Sequence, residues 1–408
     1  MNKIILFSFL FSFQLFGQKT PNKLPIKLSI KIGEKRIIKS KVLNEFREIW
    51  VYVPDSYHHK NNTKKYPVVY LLDGDNHFTS VTGIIEHLSG INGSINSPEM
   101  ILVGIINTDV NERTRDLTPT HNVEELTSGG GEKFTEFLDK ELIPYINSNY
   151  PTSTYKMLIG HSYGGLMVIN TLIHHTEMFN SYVAIDPSMW WDNKKLVLEA
   201  QAKLKQIDFT GKSLYLGIAN TLSKDIDTSL IKLDTTSYSK SIRAIFNLDD
   251  LFKKNETNLN YESKYYPDDS HGSVPLITEY DAFRFIFKEY KFNISREEWT
   301  LMNMEVIEKI EKHYKNLENI MGYPVLPDEE FINNQAYYAM SENLGKEALY
   351  LFELNCKNYP SSWNVFDSLG DFYNSTGQKE LAITNYKKAI SLKKNKETRK
   401  KLKSLISY

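Results

Sequence analysis

Polar and apolar residues alternate from Leu24 to Val53 with the two-residue period of half-buried strands, most regularly over Arg47–Val53. The alternation predicts an antiparallel edge built from Ile26–Ile32, Arg36–Lys41 and Arg47–Val53. After the polar stretch Asn61–Lys65 the pattern changes. Tyr66–Leu72, Met100–Ile106, Met157–Ile159, Tyr182–Ile185 and Ser213–Ala219 are short runs, apolar on both faces, as central parallel strands are. Asn260–Tyr266 reads as a further strand. Between these runs the period lengthens to that of helices: in Glu132–Ile146 the residues Phe134, Phe137, Leu138, Leu142 and Ile143 form one face. Lys194–Gln206, Tyr238–Phe252 and Leu276–Tyr290 are also expected to be helical. Strands alternating with helices predict an α/β fold with a mostly parallel central sheet flanked by helices.

Two segments fall outside this alternation. Lys3 precedes the apolar run Ile4–Phe16, and Gly17–Gln18 offers a cleavage point, so residues 1–17 read as a secretory signal and the sheet domain occupies 18–290. The chain is then expected to be exported, to a periplasm or to the exterior. No other run approaches transmembrane length. At the other end, Glu297–Ile320 predicts one long helix, ended by Gly322 and Pro324, within a linker spanning 291–328. From 329 to 408 the pattern repeats: Ala348 and Phe352 recur thirty-four positions later as Ala382 and Tyr386. Leu369-Gly370, Tyr373 and Ala389 fall where tetratricopeptide-like repeats place their packing residues, and Lys396–Ser407 would be the capping helix. Two units are too few to stand alone, so they are expected to dock on the sheet domain or the bridging helix. Such helices either bind a protein or peptide segment or serve as a structural appendage.

Composition narrows the function. The 408 residues hold 49 Lys and Arg against 50 Asp and Glu, a formal net charge of −1, with no basic block long enough to track a phosphate backbone. Nucleic acid is therefore not an expected partner. The single cysteine, Cys356, excludes an intramolecular disulfide. His174 and His175 are adjacent on a helix and point apart, and no His-x-x-x-His pair occurs, so neither a metal site nor a cofactor is expected.

The chemistry centres on Gly160-His161-Ser162-Tyr163-Gly164, between an apolar strand and an apolar helix. This spacing lets a serine sit at the tip of a tight strand-to-helix turn, which makes Ser162 the candidate nucleophile. A base and an acid should follow it in the chain. His271, in a strand-end loop beside Gly272, is the candidate base. Asp227 is the candidate acid, in the loop after Ser213–Ala219, with Asp225 as the alternative; Asp208 and Asp234 lie further from the expected place. An oxyanion hole would pair the backbone amides of Tyr163 and of Asp75, in the loop after Tyr66–Leu72. Arg113 and Arg115, in an expected strand-end loop, either hold an anionic group or fix the loop. Trp190 and Trp191 either wall a flat pocket or pack in the core.

Taken in order, Asp73-Gly74-Asp75, Arg113–Pro119, Gly160–Gly165 and His271-Gly272-Ser273 resemble the putative esterase family, which includes esterase D and enterobactin-type siderophore esterases. The resemblance covers Lys35 to Tyr290 and implies an α/β-hydrolase fold. It also implies a serine nucleophile at Ser162, a base at His271, and hydrolysis of small-molecule carboxylic esters such as catecholate siderophores or feruloyl sugars. A serine acyltransferase of the same fold, or a binding protein using the helical repeats, remains the alternative.

Overall fold

A computed structural model describes residues 30–59, 63–90, 95–222, 228–254 and 257–406. The expected signal segment lies outside the described residues.

The alternation at the start becomes a hairpin, β1 (Glu34–Ser40) and β2 (Glu45–Tyr52), while Ile30–Ile32 form no regular element. The chain then runs β3 (Tyr66–Leu71), α1 (Gly74–Ser89), β4 (Ile101–Ile105), α2 (Val110–Leu117), α3 (Gly131–Phe137) and α4 (Ile143–Asn149). It continues through β5 (Thr152–His161), α5 (Tyr163–His174), β6 (Ser181–Ile185), α6 (Trp191–Lys203), β7 (Ser213–Ala219), α7 (Thr228–Ile231), α8 (Lys240–Lys254), β8 (Asn260–Tyr266) and α9 (Val274–Ile286). The sheet order is β1-β2-β4-β3-β5-β6-β7-β8. Pairs β1–β2 and β2–β4 are antiparallel, and every other pair is parallel.

The doubly apolar strands explain the layering, because successive side chains leave opposite faces. Val68, Tyr70 and Leu72 join the core under α3, α4, α5, α6 and α8, whereas Val69 and Leu71 join the core under α1 and α9. This is the architecture the pattern predicts, and all the parallel strands point their C-terminal ends at one edge of the sheet.

Two local expectations are corrected. Arg113–Asp116 is helical rather than a loop, because the Asp109 side chain accepts the Glu112 N–H at 2.9 Å and starts α2. The long helix is two, α10 (Arg296–Leu301) and α11 (Met304–Met321), broken at Met302, whose φ is 36°. Asn303 restarts the helix by accepting the Val306 N–H at 3.1 Å, a cap lying inside the periodic run.

The C-terminal region is all helical: α12 (Glu329–Ser341), α13 (Gly345–Asn358), α14 (Trp363–Ser375), α15 (Lys379–Leu392) and α16 (Lys396–Ile406). It has its own core, which includes Ile310, Ile332, Ala348, Phe352 and Leu369. Gly370 has no room for a side chain, since a Cβ there would lie 2.6 Å from the Tyr386 ring. Met321, Tyr323 and Val325 leave this region to pack against the sheet domain, and the Thr154 hydroxyl donates to the Gly322 carbonyl at 3.1 Å. Thr154 lies near the start of β5, so this junction sits at the sheet edge opposite the strands' C-terminal ends.

Candidate active site

Strand β5 turns into α5 through Ser162, which holds φ 60° and ψ −116°. A non-glycine residue in such a conformation is strained and must be held by its surroundings. The hold is visible: the Ser162 N–H donates to the Ile185 carbonyl at 3.0 Å, and its carbonyl accepts from Ser188 N–H at 3.0 Å and Leu166 N–H at 2.9 Å. Gly160 permits the turn, because a Cβ there would lie 2.4 Å from the Gly164 carbonyl oxygen. The Ser162 and Ser188 hydroxyls stand 3.4 Å apart.

His271 lies in the loop between β8 and α9. Its Nδ1 is 2.5 Å from an Asp186 carboxylate oxygen, and its ring centre lies 4.4 Å from that of His161, the two planes tilted by 40°. Asp186 directly follows β6 and is buried, with φ 39°. Its N–H donates to Gly217 at 2.8 Å, and its second carboxylate oxygen accepts the Ala219 N–H at 3.1 Å. The carboxylate is thus clamped before it meets the imidazole.

The carboxylate that meets His271 is therefore not one of those expected after β7. Asp225 and Asp227 lie outside the described residues. Asp208 accepts the Thr210 N–H and Asp234 the Thr236 N–H, each closing its own turn. The described start of the β7 loop is used otherwise, since Asn220 donates its N–H to Asp269 and its amide to Pro267, fastening the His271 loop. Sequence reasoning passed over Asp186 although an aspartate at a strand end, followed by proline, stood there to be read.

Tyr163 is the first residue of α5 and Asp75 lies in the first turn of α1, so their N–H groups belong to helix starts, which favour an anion. The two starts adjoin: a Cβ on Gly164 would be 3.3 Å from an Asp73 carboxylate oxygen. Asp73 is buried and grips Arg113 bidentately, at 2.6 and 2.8 Å, with Asn107 donating a third bond at 2.7 Å. Burial opposes the Arg113 charge, but Asp73 outweighs it and holds the guanidinium above its ordinary pKa. Arg113 thus fixes the loop that carries Asp75, and it also lines a cavity of about 370 Å³ with Asp73, Asn76, His77, His161, Gly272 and Pro275.

Arg115 does not join this cavity. All three of its nitrogens go to Glu45 and Asp116, within a network around the buried Arg47, so its role is to tie α2 to β2. Trp191 is buried and donates its indole N–H to Thr120, which makes it a packing residue. Trp190 is half-buried beside Tyr163, at 6.4 Å between ring centroids, and Lys240 Nζ lies 5.9 Å from the centre of its ring. The Arg113 guanidinium lies 5.5 Å from the Tyr163 ring. Tyr163, the residue after the nucleophile, thus has the Trp190 ring and the Arg113 guanidinium about it.

His161 and His77 were not anticipated as site residues. Burial, with help from the neighbouring His271 and His77, pushes the His161 pKa down to about 3 and keeps the ring neutral. His77 moves the other way: burial opposes its charge, but the fully buried Glu279, 3.2 Å away, more than compensates. Among the described residues no group of three His, Cys, Asp or Glu is placed to hold a metal ion, and no helix is long and apolar enough to cross a membrane.

The family model described as putative esterase matches residues 40–241. An IroE-like serine hydrolase of Shewanella oneidensis superposes with a TM-score of 0.63 at 30% identity, over 79% of this chain and 98% of that one. The chain belongs to the putative esterase family. A family relative, the siderophore triacetylfusarinine C esterase of Aspergillus fumigatus, is 30% identical over 144 residues, which are 33% of this chain and 49% of that protein. This esterase-family chain spans about half the length of the curated relatives it matches. An uncharacterised protein from Capnocytophaga ochracea aligns over 92% of this chain and all of its own, with a TM-score of 0.60 at 18% identity, a likeness of fold alone.

Proposed function

We propose that this chain is an exported serine esterase whose triad is Ser162, His271 and Asp186, acting on siderophore-type esters. The observation that carries this reading is the junction of β5 and β6, where one strand end presents a strained serine and the next presents a clamped carboxylate bonded to a histidine. A serine hydroxyl is a weak nucleophile at neutral pH, so Ser162 needs His271 Nε2 to take its proton as Oγ attacks the ester carbonyl. Asp186, bonded to Nδ1, selects the tautomer that leaves Nε2 free and stabilises the imidazolium that forms. Backbone N–H groups at Tyr163 and Asp75 receive the oxyanion. The imidazolium then protonates the departing alcohol, and a water molecule, deprotonated by His271, releases the acid from Ser162.

The siderophore assignment rests on the relatives named for siderophore ester hydrolysis and on the rings and cations gathered about Tyr163, the residue after the nucleophile: Arg113, and Trp190 with Lys240 over it. A flat acyl group carrying negative charge finds both stacking and charge there. Export rests on the apolar run Ile4–Phe16, and the helices from 329 onward are read as tetratricopeptide-like from the Gly370–Tyr386 fit and the thirty-four-residue recurrence.

Turnover of triscatecholate and trihydroxamate esters beside p-nitrophenyl acetate, by wild type and Ser162→Ala, tests the reading. Serine-dependent turnover with a preference for the siderophore esters is expected. Turnover that survives Ser162→Ala would remove the mechanism, and equal efficiency on all esters would remove the substrate class.

A further inference from the structure

Charge is spread evenly over this chain as a whole but not at its C-terminal end. Between residues 387 and 403 there are nine Lys and Arg and one acid, Glu397, in a protein whose total balance is −1. In α16 the residues Lys396, Arg399, Lys400 and Lys403 recur every three or four positions, so they share one face of the helix. The opposite side is spent on the fold: Thr398 is buried, and Lys401 bonds Asp367 at 2.8 Å and Asp371 at 2.7 Å. Glu397 is paired with Lys400 at 2.8 Å. Aliphatic side chains are exposed nearby in the chain, Ile406 at the end of α16 by 57% and Leu392 at the end of α15 by 37%.

We propose that this face docks the protein on the surface of an anionic lipid bilayer. A terminal helix of a stacked array needs a polar outer face for solubility, but mixed charges serve that need; a face of one sign does more. Cations beside exposed aliphatics are the composition of a helix that lies in a lipid interface, with charges at the headgroups and aliphatics just below. A helix of 11 residues is about 16 Å long, too short to follow a phosphodiester strand far, whereas a bilayer accepts any footprint.

The test is co-sedimentation of the full chain with phosphatidylcholine vesicles, with and without about 30% phosphatidylglycerol, for wild type and the triple variant Lys396→Gln/Arg399→Gln/Lys400→Gln. Glutamine keeps helix propensity, and an unchanged far-UV circular dichroism spectrum and thermal midpoint report that the variant is folded. The expected result is binding to the anionic vesicles alone, weakened at least about tenfold in the variant and by raising salt from about 0.1 to 0.5 M. Failure of wild type to bind anionic vesicles overturns the proposal. So does binding that the variant retains, which would place the contact elsewhere, such as the apolar N-terminal run. Binding to duplex DNA, lost in the variant, without binding to vesicles would show that the face serves nucleic acid instead.

Discussion

At the scale of single residues, Asp186 carries the most weight. Its carboxylate is clamped by the Ala219 amide and bonded to His271, so replacing it leaves the imidazole without an orienting partner. Asp186→Asn is expected to lower kcat by about 10³-fold or more with KM nearly unchanged, while Asp225→Asn and Asp227→Asn stay within about threefold of wild type; steady-state kinetics on one soluble ester decides. His161 offers a pH signature. Its folded pKa near 3 lies below the ordinary value, so the unfolded chain binds the extra proton between about pH 6.5 and 3, and stability falls as pH drops through that window. His161→Phe should flatten the loss by up to about 1.4 kcal/mol per pH unit, measured by urea denaturation at several pH values. Arg113 is the partner of a buried carboxylate, and Arg113→Ala strands Asp73. Because the guanidinium is about a quarter exposed, a cost of about 2 kcal/mol is expected, read as a lowered urea midpoint, less than a fully buried pair would lose.

At the scale of elements, the turn from β5 to α5 depends on an absence of atoms. Gly160→Ala would place a methyl 2.4 Å from the Gly164 carbonyl, so the turn must open and Ser162 must move. Fluorophosphonate labelling of Ser162 is expected to slow at least about a hundredfold in that variant, and labelling at the wild-type rate would show that the turn tolerates it. This element was legible in the sequence because its signal is local: an apolar strand, two glycine positions and an apolar helix are contiguous. Asn303 was equally local, yet the strong period around it concealed the break between α10 and α11. The position of Asp186 was not legible, since whether a strand-end carboxylate meets a histidine 85 residues later depends on strand order and on the clamp from β7. For the same reason Arg113 and Arg115, two positions apart, could not be told apart: only the fold shows that one faces Asp73 and the other Glu45.

At the scale of the molecule, the two ends of the sheet have separate duties. The C-terminal edge gathers Ser162, Asp186 and His271, and the other edge takes up Gly322 and the helices beyond it. Deleting residues 329–408 is expected to lower thermal stability, because the helical core shared by α11 and α13 loses one side, while Ser162-dependent turnover persists. Loss of turnover in a deletion variant that remains folded would mean that the helices reach the site.

The clamp on Asp186 also has a consequence for engineering. Ser162 and Asp186 arise from adjacent strands locked backbone to backbone, so their spacing is set by the register of β5 on β6. Moving the acid to another strand end would therefore mean rebuilding the sheet rather than exchanging a loop.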